Sequence, residues 1–519
     1  MDIILNFLRV IGVIFMVVMT FNLLIVVHEW GHFLAARWRG LQVDRFQIWF
    51  GKPLWKKTVN GVQYGLGSIP AGGFVALPQM APMESIEGQN VGEDGEAEEP
   101  RDLPPITPLD KIIVAFAGPL FSFLLAVCFA VAVHFVGKPV NEASSTTVVG
   151  IVGKGMPADK AGMKVGDKIL KIDGKKVSNF TGMINSVQWN IASSTSNPII
   201  VEVDRPSVGQ KIIEITMPTA EEKAKKKTSW LKSILGRPEL RKIGVGPRTT
   251  PVIMSVVDPG PAAEAGIQAG DIAIKINGQE VHSISEVFDY EKANLGKALT
   301  YTILRGKEKK ELELTVQPRL PILPKVEEVA AAETEGEKTE KKEIQEPQPS
   351  MGILWDLAGV RGMSYPGIGE QIGNSLSMMK NTLGAIVTPK SEVSVSHLSG
   401  PVGIMNLYYN LFNMENGWRL VLWFSVIMNI NLAVLNMLPF PVLDGGHITM
   451  AFFEWVSRKP MKFRVLEMVQ TAFVILLLGF MVFVSIKDVK NVSDQATRKE
   501  GVELRFAPKD GAAPVGEAK

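Results

Sequence analysis

Cysteine is almost missing from this 519-residue chain: Cys128 is the only one, which excludes an intramolecular disulfide framework. Histidine is scarce too, six in all, so two that fall close together carry weight. Neither sign of charge dominates, with 55 Lys+Arg against 53 Asp+Glu and a formal net charge of +2. No arginine-rich or aromatic-interleaved patch is present, and a nucleic-acid partner is not expected. Four stretches lack charge altogether or nearly so. Residues 3–27 carry only Arg9, residues 112–137 carry none apart from a titratable His134, and residues 420–438 and 468–486 carry none. Each approaches the ~20 apolar residues that cross a bilayer, so four transmembrane helices are expected. The first has no basic stretch before it and no small-residue cleavage site, and reads as a retained span instead of a signal peptide.

Lys and Arg gather after the first span, at Arg37, Arg39, Arg45, Lys52, Lys56 and Lys57, and between the third and fourth, at Arg458, Lys459, Lys462 and Arg464. The positive-inside bias makes both loops cytoplasmic. The N-terminus, the C-terminal tail and the long region between spans two and three then lie outside, as in a multi-pass inner-membrane protein.

At the basic end of span one stands His28-Glu29-Trp30-Gly31-His32. Residues at i and i+4 share a helix face, so His28 and His32 can offer two imidazoles to one zinc ion, with Glu29 placed as a general acid/base. Chance produces this pattern below roughly 0.01 times per chain of this composition. An ionisable cluster at membrane depth should face protein or a wet cavity.

Residues 42–77 alternate apolar and polar, with Asn60-Gly61 suited to a tight hairpin, and read as a small membrane-associated β-sheet. An acidic, solvated loop follows at 84–102. The outer region repeats itself. Ala161-Gly162, Gly166-Asp167, Lys171-Ile172, Gly174 and Val177 recur as Ala265-Gly266, Gly270-Asp271, Lys275-Ile276, Gly278 and Val281, at a constant offset of 104. Both copies look like PDZ domains, although neither has an obvious Gly-Leu-Gly-Phe carboxylate loop; peptide or protein ligands would add as strands.

The expected division is a first span at 1–39, β-sheet at 40–80, acidic loop at 81–105, second span at 106–138, and PDZ copies at 145–220 and 245–318 around a basic insertion at 221–244. A charged linker follows at 319–350, then an amphipathic membrane-surface region at 351–415, third span at 416–447, fourth span at 464–487 and tail at 488–519.

A zinc hydrolase needs a third protein ligand. Asp444 is the best candidate, in Asn436-Met437-Leu438-Pro439-Phe440-Pro441-Val442-Leu443-Asp444-Gly445-Gly446. Two prolines two apart stop a helix, and irregular backbone at membrane depth survives only inside protein or beside a cavity. His447 is an alternative ligand. Asn431 and Asn436 either bond helix to helix or, beside a metal, hold a substrate backbone. His134, His282 and His397 read as structural.

These features resemble the site-2 protease family of intramembrane zinc metalloproteases: His-Glu-x-x-His ending an apolar helix, a later Asn-x-x-Pro-x-Pro-x-Leu-Asp-Gly, four spans and an intervening PDZ region. Ala117-Gly118-Pro119 and Gly400-Pro401-Val402-Gly403 share in the resemblance. Tandem PDZ copies point to the bacterial regulator of sigma-E protease group. The resemblance implies a polytopic α-helical membrane protein with a small β-sheet and two α+β PDZ domains. It also implies one zinc ion on His28, His32 and Asp444, Glu29 as general acid/base, and substrate contacts from Asn436 and from an edge strand of the sheet. Its substrates would be single-span membrane proteins already trimmed outside, such as anti-sigma factors or signal-peptide remnants. The acidic loop, the basic insertion and the long tail depart from the pattern. The competing classes are a non-catalytic membrane scaffold that binds partners through its PDZ pair, and a transporter. The first has no use for Glu29, and the second lacks a repeated pair of broken helices.

Overall fold

The computed structural model describes residues 2–80, 105–218, 240–306, 308–322, 348–389, 391–458, 463–499 and 506. The acidic loop and most of the basic insertion and charged linker fall outside them. Among the described residues, four helices are long and apolar enough to cross a membrane: Ile4–Arg39, Pro108–Val136, Gly417–Asn436 and Met468–Ser493.

Helix α1 (Asp2–Arg39) has no proline and is apolar on all sides before its motif, as a span in lipid must be. After a turn at Gly40 the chain forms β1 (Arg45–Phe50), β2 (Trp55–Val59), β3 (Val62–Leu66) and β4 (Ile69–Ala76). Asn60 and Gly61 both have positive φ, the geometry of a two-residue hairpin, and join β2 to β3 as their residue types predict. The sheet order is β2-β3-β1-β4, with β1 and β3 parallel and β4 on an edge. Phe33, Phe46, Val62, Val75 and Leu77 are buried together with Val114 and Ala115, and fasten the sheet to the helices.

Helix α2 (Pro108–Val136) starts with Pro108 at its first position and a capping box between Thr107 and Asp110. Asp110 also accepts a 2.6 Å hydrogen bond from Arg39 Nε, which clamps the end of α1 to the start of α2. The two helices touch at glycines: a Cβ on Gly31 would lie 2.4 Å from the Ala117 carbonyl oxygen.

Two units of one topology follow. After β5 (Lys138–Asn141), the first contains β6 (Val149–Val152), β7 (Lys168–Ile172), β8 (Lys175–Lys176), β9 (Ile199–Arg205), β10 (Gly209–Ile215) and β11 (Val245–Pro247). The second contains β12 (Val252–Val256), β13 (Ile272–Ile276), β14 (Gln279–Glu280), β15 (Leu299–Arg305), β16 (Lys310–Val316) and β17 (Ile353–Asp356). Ile169, Ile172, Val201 and Val203 fill one core, and Ala273, Ile276, Tyr301 and Ile303 the other. Each larger aliphatic side chain buried this way stabilises its unit by about 1.5–3 kcal/mol. An Arg fork recurs as well. Arg205 grips Asp167 through two bonds of 2.7 and 2.8 Å and reaches the Gly162 carbonyl, as Arg305 grips Asp271 and reaches that of Gly266.

Strand pairing does not follow the sequence division. β11, placed by sequence in the second copy, pairs with β6 of the first, and β17, placed beyond the second copy, pairs with β12. Residues 351–415, expected as an amphipathic membrane-surface region, begin as strand. They open with β17 and β18 (Arg361–Ser364), because partners about a hundred residues or more away satisfy their backbone, which local periodicity does not report. β18 pairs with β5, so the chain leaves α2 and returns to α3 (Ile368–Val387) through one two-stranded neck.

Helix α4 (Pro401–Asn413) precedes the third span, α5 (Gly417–Asn436). The segment 416–447 is not one helix. α5 stops at Asn436, residues 437–443 are irregular around Pro439 and Pro441, and Asp444 opens α6 (Asp444–Ser457). Helix α7 (Phe463–Lys499) runs past the expected end at 487, so the tail begins as helix. Asp488 of α7 accepts 2.8 Å hydrogen bonds from the N–H groups of Gly400 and Gly403, holding the start of α4.

Candidate active site

The end of α1 and the start of α6 meet beside α2. His28, His32 and Asp444 are all buried, and one donor atom from each lies within 4.8 Å of the others. Among the described residues this is the only such cluster of three His, Cys, Asp or Glu side chains. His28 Nε2 and His32 Nε2 are 3.2 Å apart, His28 Nε2 is 3.2 Å from Asp444 Oδ2, and His32 Nε2 is 3.4 Å from Asp444 Oδ1. Tetrahedral zinc with ligands at ~2.0–2.1 Å separates them by about 3.3–3.4 Å.

The neighbours explain why the donor atoms converge. His32 Nδ1 lies 2.8 Å from the Val114 carbonyl oxygen, which can only accept, so Nδ1 carries the proton and Nε2 presents a lone pair. His28 Nδ1 lies 3.0 Å from Ser122 Oγ, leaving Nε2 to face the cluster. Two imidazole lone pairs and a carboxylate, packed at hydrogen-bond distance, repel one another unless a cation sits among them. Asp444 Oδ2 is buried and, among the described residues, lacks a hydrogen-bond donor, as an oxygen reserved for a metal would. The donor set and the geometry fit zinc.

Room for the rings depends on Gly118. A Cβ there would come within 2.2 Å of His32 Nε2 and 2.9 Å of His28 Cε1. Glu29 faces the same cavity, about 190 Å³ in volume, whose lining includes Asn436, Val442, Leu443 and His447. On its other side Glu29 meets the edge strand: a Cβ on Gly73 of β4 would lie 3.8 Å from Glu29 Cγ.

His28, Glu29, His32, Asn436 and Asp444 thus come together from positions more than 400 residues apart, with Asn436 Nδ2 3.3 Å from His28 Nε2. His447 lines the cavity without joining the three-residue cluster. Asn431 is elsewhere. Five positions before Asn436, it points about 140° around the helix from it, is absent from the cavity lining, and leaves its Oδ1 buried without a partner among the described residues. His134 bonds the Pro366 carbonyl, His397 caps a turn at Ser394, and His282 faces Glu280, all away from the cluster. Sequence reasoning passed over Ser122 and the role of Gly118. Ser122 is a polar residue one helical turn after Gly118 in an otherwise apolar span, which is a readable signal.

The family model described as "Peptidase family M50" matches residues 15–480. A "Putative zinc metalloprotease" of Xylella fastidiosa (strain 9a5c) is 27% identical over 474 residues, covering 90% of this chain and 96% of its own length. "Protease RseP" of Yersinia pestis is 26% identical with the same coverage of both chains. "Regulator of sigma-E protease RseP" of Salmonella typhimurium (strain 14028s / SGSC 2262) is 25% identical over 497 residues, again covering 90% and 96%.

Proposed function

The chain belongs to peptidase family M50 and is a zinc metalloprotease, and from that premise we propose that it hydrolyses peptide bonds inside the transmembrane segments of single-span membrane proteins. The observation that carries this reading is the His28–His32–Asp444 cluster, with Glu29 beside it, at the end of a membrane-length helix. His28, His32 and Asp444 hold the zinc. Bound there, zinc supplies Lewis acidity that polarises the scissile carbonyl and makes water nucleophilic near neutral pH. Glu29 takes the proton from the attacking water and passes it to the leaving amine nitrogen. Asn436 holds the substrate backbone close to the carbonyl that reacts.

A substrate helix hides its carbonyls in i to i−4 hydrogen bonds, so it must unwind before it is cut. Among the described residues β4 has a partner strand on one side only, and its other edge, beside Glu29, is where an unwound segment can add as a strand. We read the two repeated units as PDZ domains. Their common order of elements and the pairing of β11 with β6 and of β17 with β12 support this, and the edges β11 and β17 would take peptide or protein ligands in the same way. Held by the β5–β18 neck, the pair admits substrates whose outer domains have been removed, of the anti-sigma factor or signal-peptide remnant kind, and supports a role in stress signalling. The Lys and Arg distribution supports a reading with this pair outside the inner membrane and the zinc toward the cytoplasm.

The test is cleavage of a single-span substrate, with and without its outer domain, by wild type and Glu29→Gln in detergent, with zinc measured in both. We expect zinc in both proteins and cleavage only of the trimmed substrate by wild type. Equal cleavage by Glu29→Gln would overturn the mechanism, and equal cleavage of both substrates would overturn the gating.

A further inference from the structure

The two repeated units differ in what covers the glycine just before β11 and β17. In the first, Gly244 has φ +84 just before β11, and the Met156 side chain covers it: a Cβ on Gly244 would fall 2.3 Å from Met156 Cβ. In the second, Gly352 has φ +73 just before β17 in the same way. At the constant offset of 104, the residue matching Met156 is Gly260, which has no side chain to cover it. Nor can one be added simply, since a Cβ on Gly260 would lie 2.4 Å from the Val257 carbonyl oxygen.

The gap is filled from the other end of the chain. Phe506, beyond α7, is only 3% exposed. Its ring lies against both glycines, 3.2 Å from a Cβ built on Gly260 and 3.1 Å from one built on Gly352. The Arg319 guanidinium stands over the ring at 6.0 Å from its centroid, and Arg319 is itself paired with Glu264. A cation over an aromatic face adds to the burial of the ring.

We propose that the C-terminal tail is an intramolecular ligand of the second repeated unit, with Phe506 as a plug in a socket that the first unit closes with its own Met156. Span parity allows this, because a chain leaving the repeated units through two further spans returns to their side of the membrane. From Lys499 to Phe506 the chain can reach at most about 25 Å. The plug therefore straps the second unit to the end of the fourth span.

The experiment is hydrogen exchange on the full chain and on Phe506→Ala, with the first unit as internal control for folding. Loss of a buried phenylalanine corresponds to about 10- to 100-fold in a local equilibrium. Amides of Val257, Asp258 and Gly260 and those at 350–353 should exchange faster by that factor in Phe506→Ala, while 153–156 and 243–245 stay unchanged. A second arm uses a labelled peptide of residues 500–512. It should bind full-length Phe506→Ala but not wild type, whose socket is filled, and the same peptide carrying Phe506→Ala should bind at least tenfold more weakly. Unchanged exchange at the second unit, equal changes in both units, or equal binding by the two peptides would overturn the proposal.

Discussion

Replacing Gly118 with alanine adds one methyl group at the point where α2 backs the proposed metal ligands. The added carbon would sit 2.2 Å from His32 Nε2, 2.5 Å from His32 Cε1 and 2.9 Å from His28 Cε1. A carbon needs about 3.5 Å to a non-bonded neighbour, so the His32 ring or the α2 backbone must move by about 1 Å. The ring has little freedom, because its Nδ1 is tied to Val114, a residue of the same helix that carries Gly118. A displacement of about 1 Å at a catalytic centre costs on the order of 100-fold in rate, and zinc affinity falls with it. Cleavage of a trimmed single-span substrate and zinc content by elemental analysis report both effects. Gly12→Ala is the control, since nothing lies within 4 Å of a Cβ there. If Gly118→Ala keeps full zinc occupancy and wild-type cleavage, the assignment of the metal to these histidines is wrong.

Ser122→Ala removes the partner of His28 Nδ1 and should weaken zinc binding by about 10- to 100-fold, read by competition with a chelator, with the fold intact. Single cysteines along 69–76, in a Cys128→Ser background, should crosslink a bound substrate; cleavage that proceeds without any crosslink would remove β4 as the docking edge. In the first repeated unit, burial raises the Asp167 carboxyl but the Arg205 fork and the Lys164 N–H outweigh it, so its pKa lies below the usual carboxylate range. That stabilisation is present above the unfolded value near 3.8 and is lost as pH falls through the lower folded value. Hydrogen exchange of 168–172 should accordingly rise as the pH drops through that window, and Asp167→Asn should flatten the dependence.

The cluster itself was legible because it is written in residue types that membranes seldom tolerate. His28, Glu29 and His32 at helical spacing, and Asp444 after two helix-stopping prolines, have few other reasons to sit in apolar sequence. Asn60-Gly61 announced its hairpin through its φ values, and the offset of 104 announced the repeat. Contacts between distant segments carried no such mark. The bond from His32 to the Val114 carbonyl depends on how closely α1 and α2 pack, which Gly31 and Gly118 permit without advertising it. β11 and β17 are short and find their partners only across long stretches of chain, so the sequence division cut them from their sheets. Asn431 resembled Asn436 in composition, and only the helical angle between them tells them apart.

Both repeated sheets are interrupted at the same place: the chain leaves after β10 at Ile215 and returns at Val245, and leaves after β16 at Val316 and returns at Ile353. Closing a longer loop costs only about 0.6 kcal/mol for each doubling of its length. The stretches between the core residues Met217 and Ile243 of the first unit, and between Val316 and Met351 of the second, are therefore the places where the protein can gain or lose sequence at least cost to either core. For an experimenter they are sites for splicing in an affinity tag or a fluorescent reporter; for a lineage they are where new partners can be recruited while the zinc chemistry stays fixed.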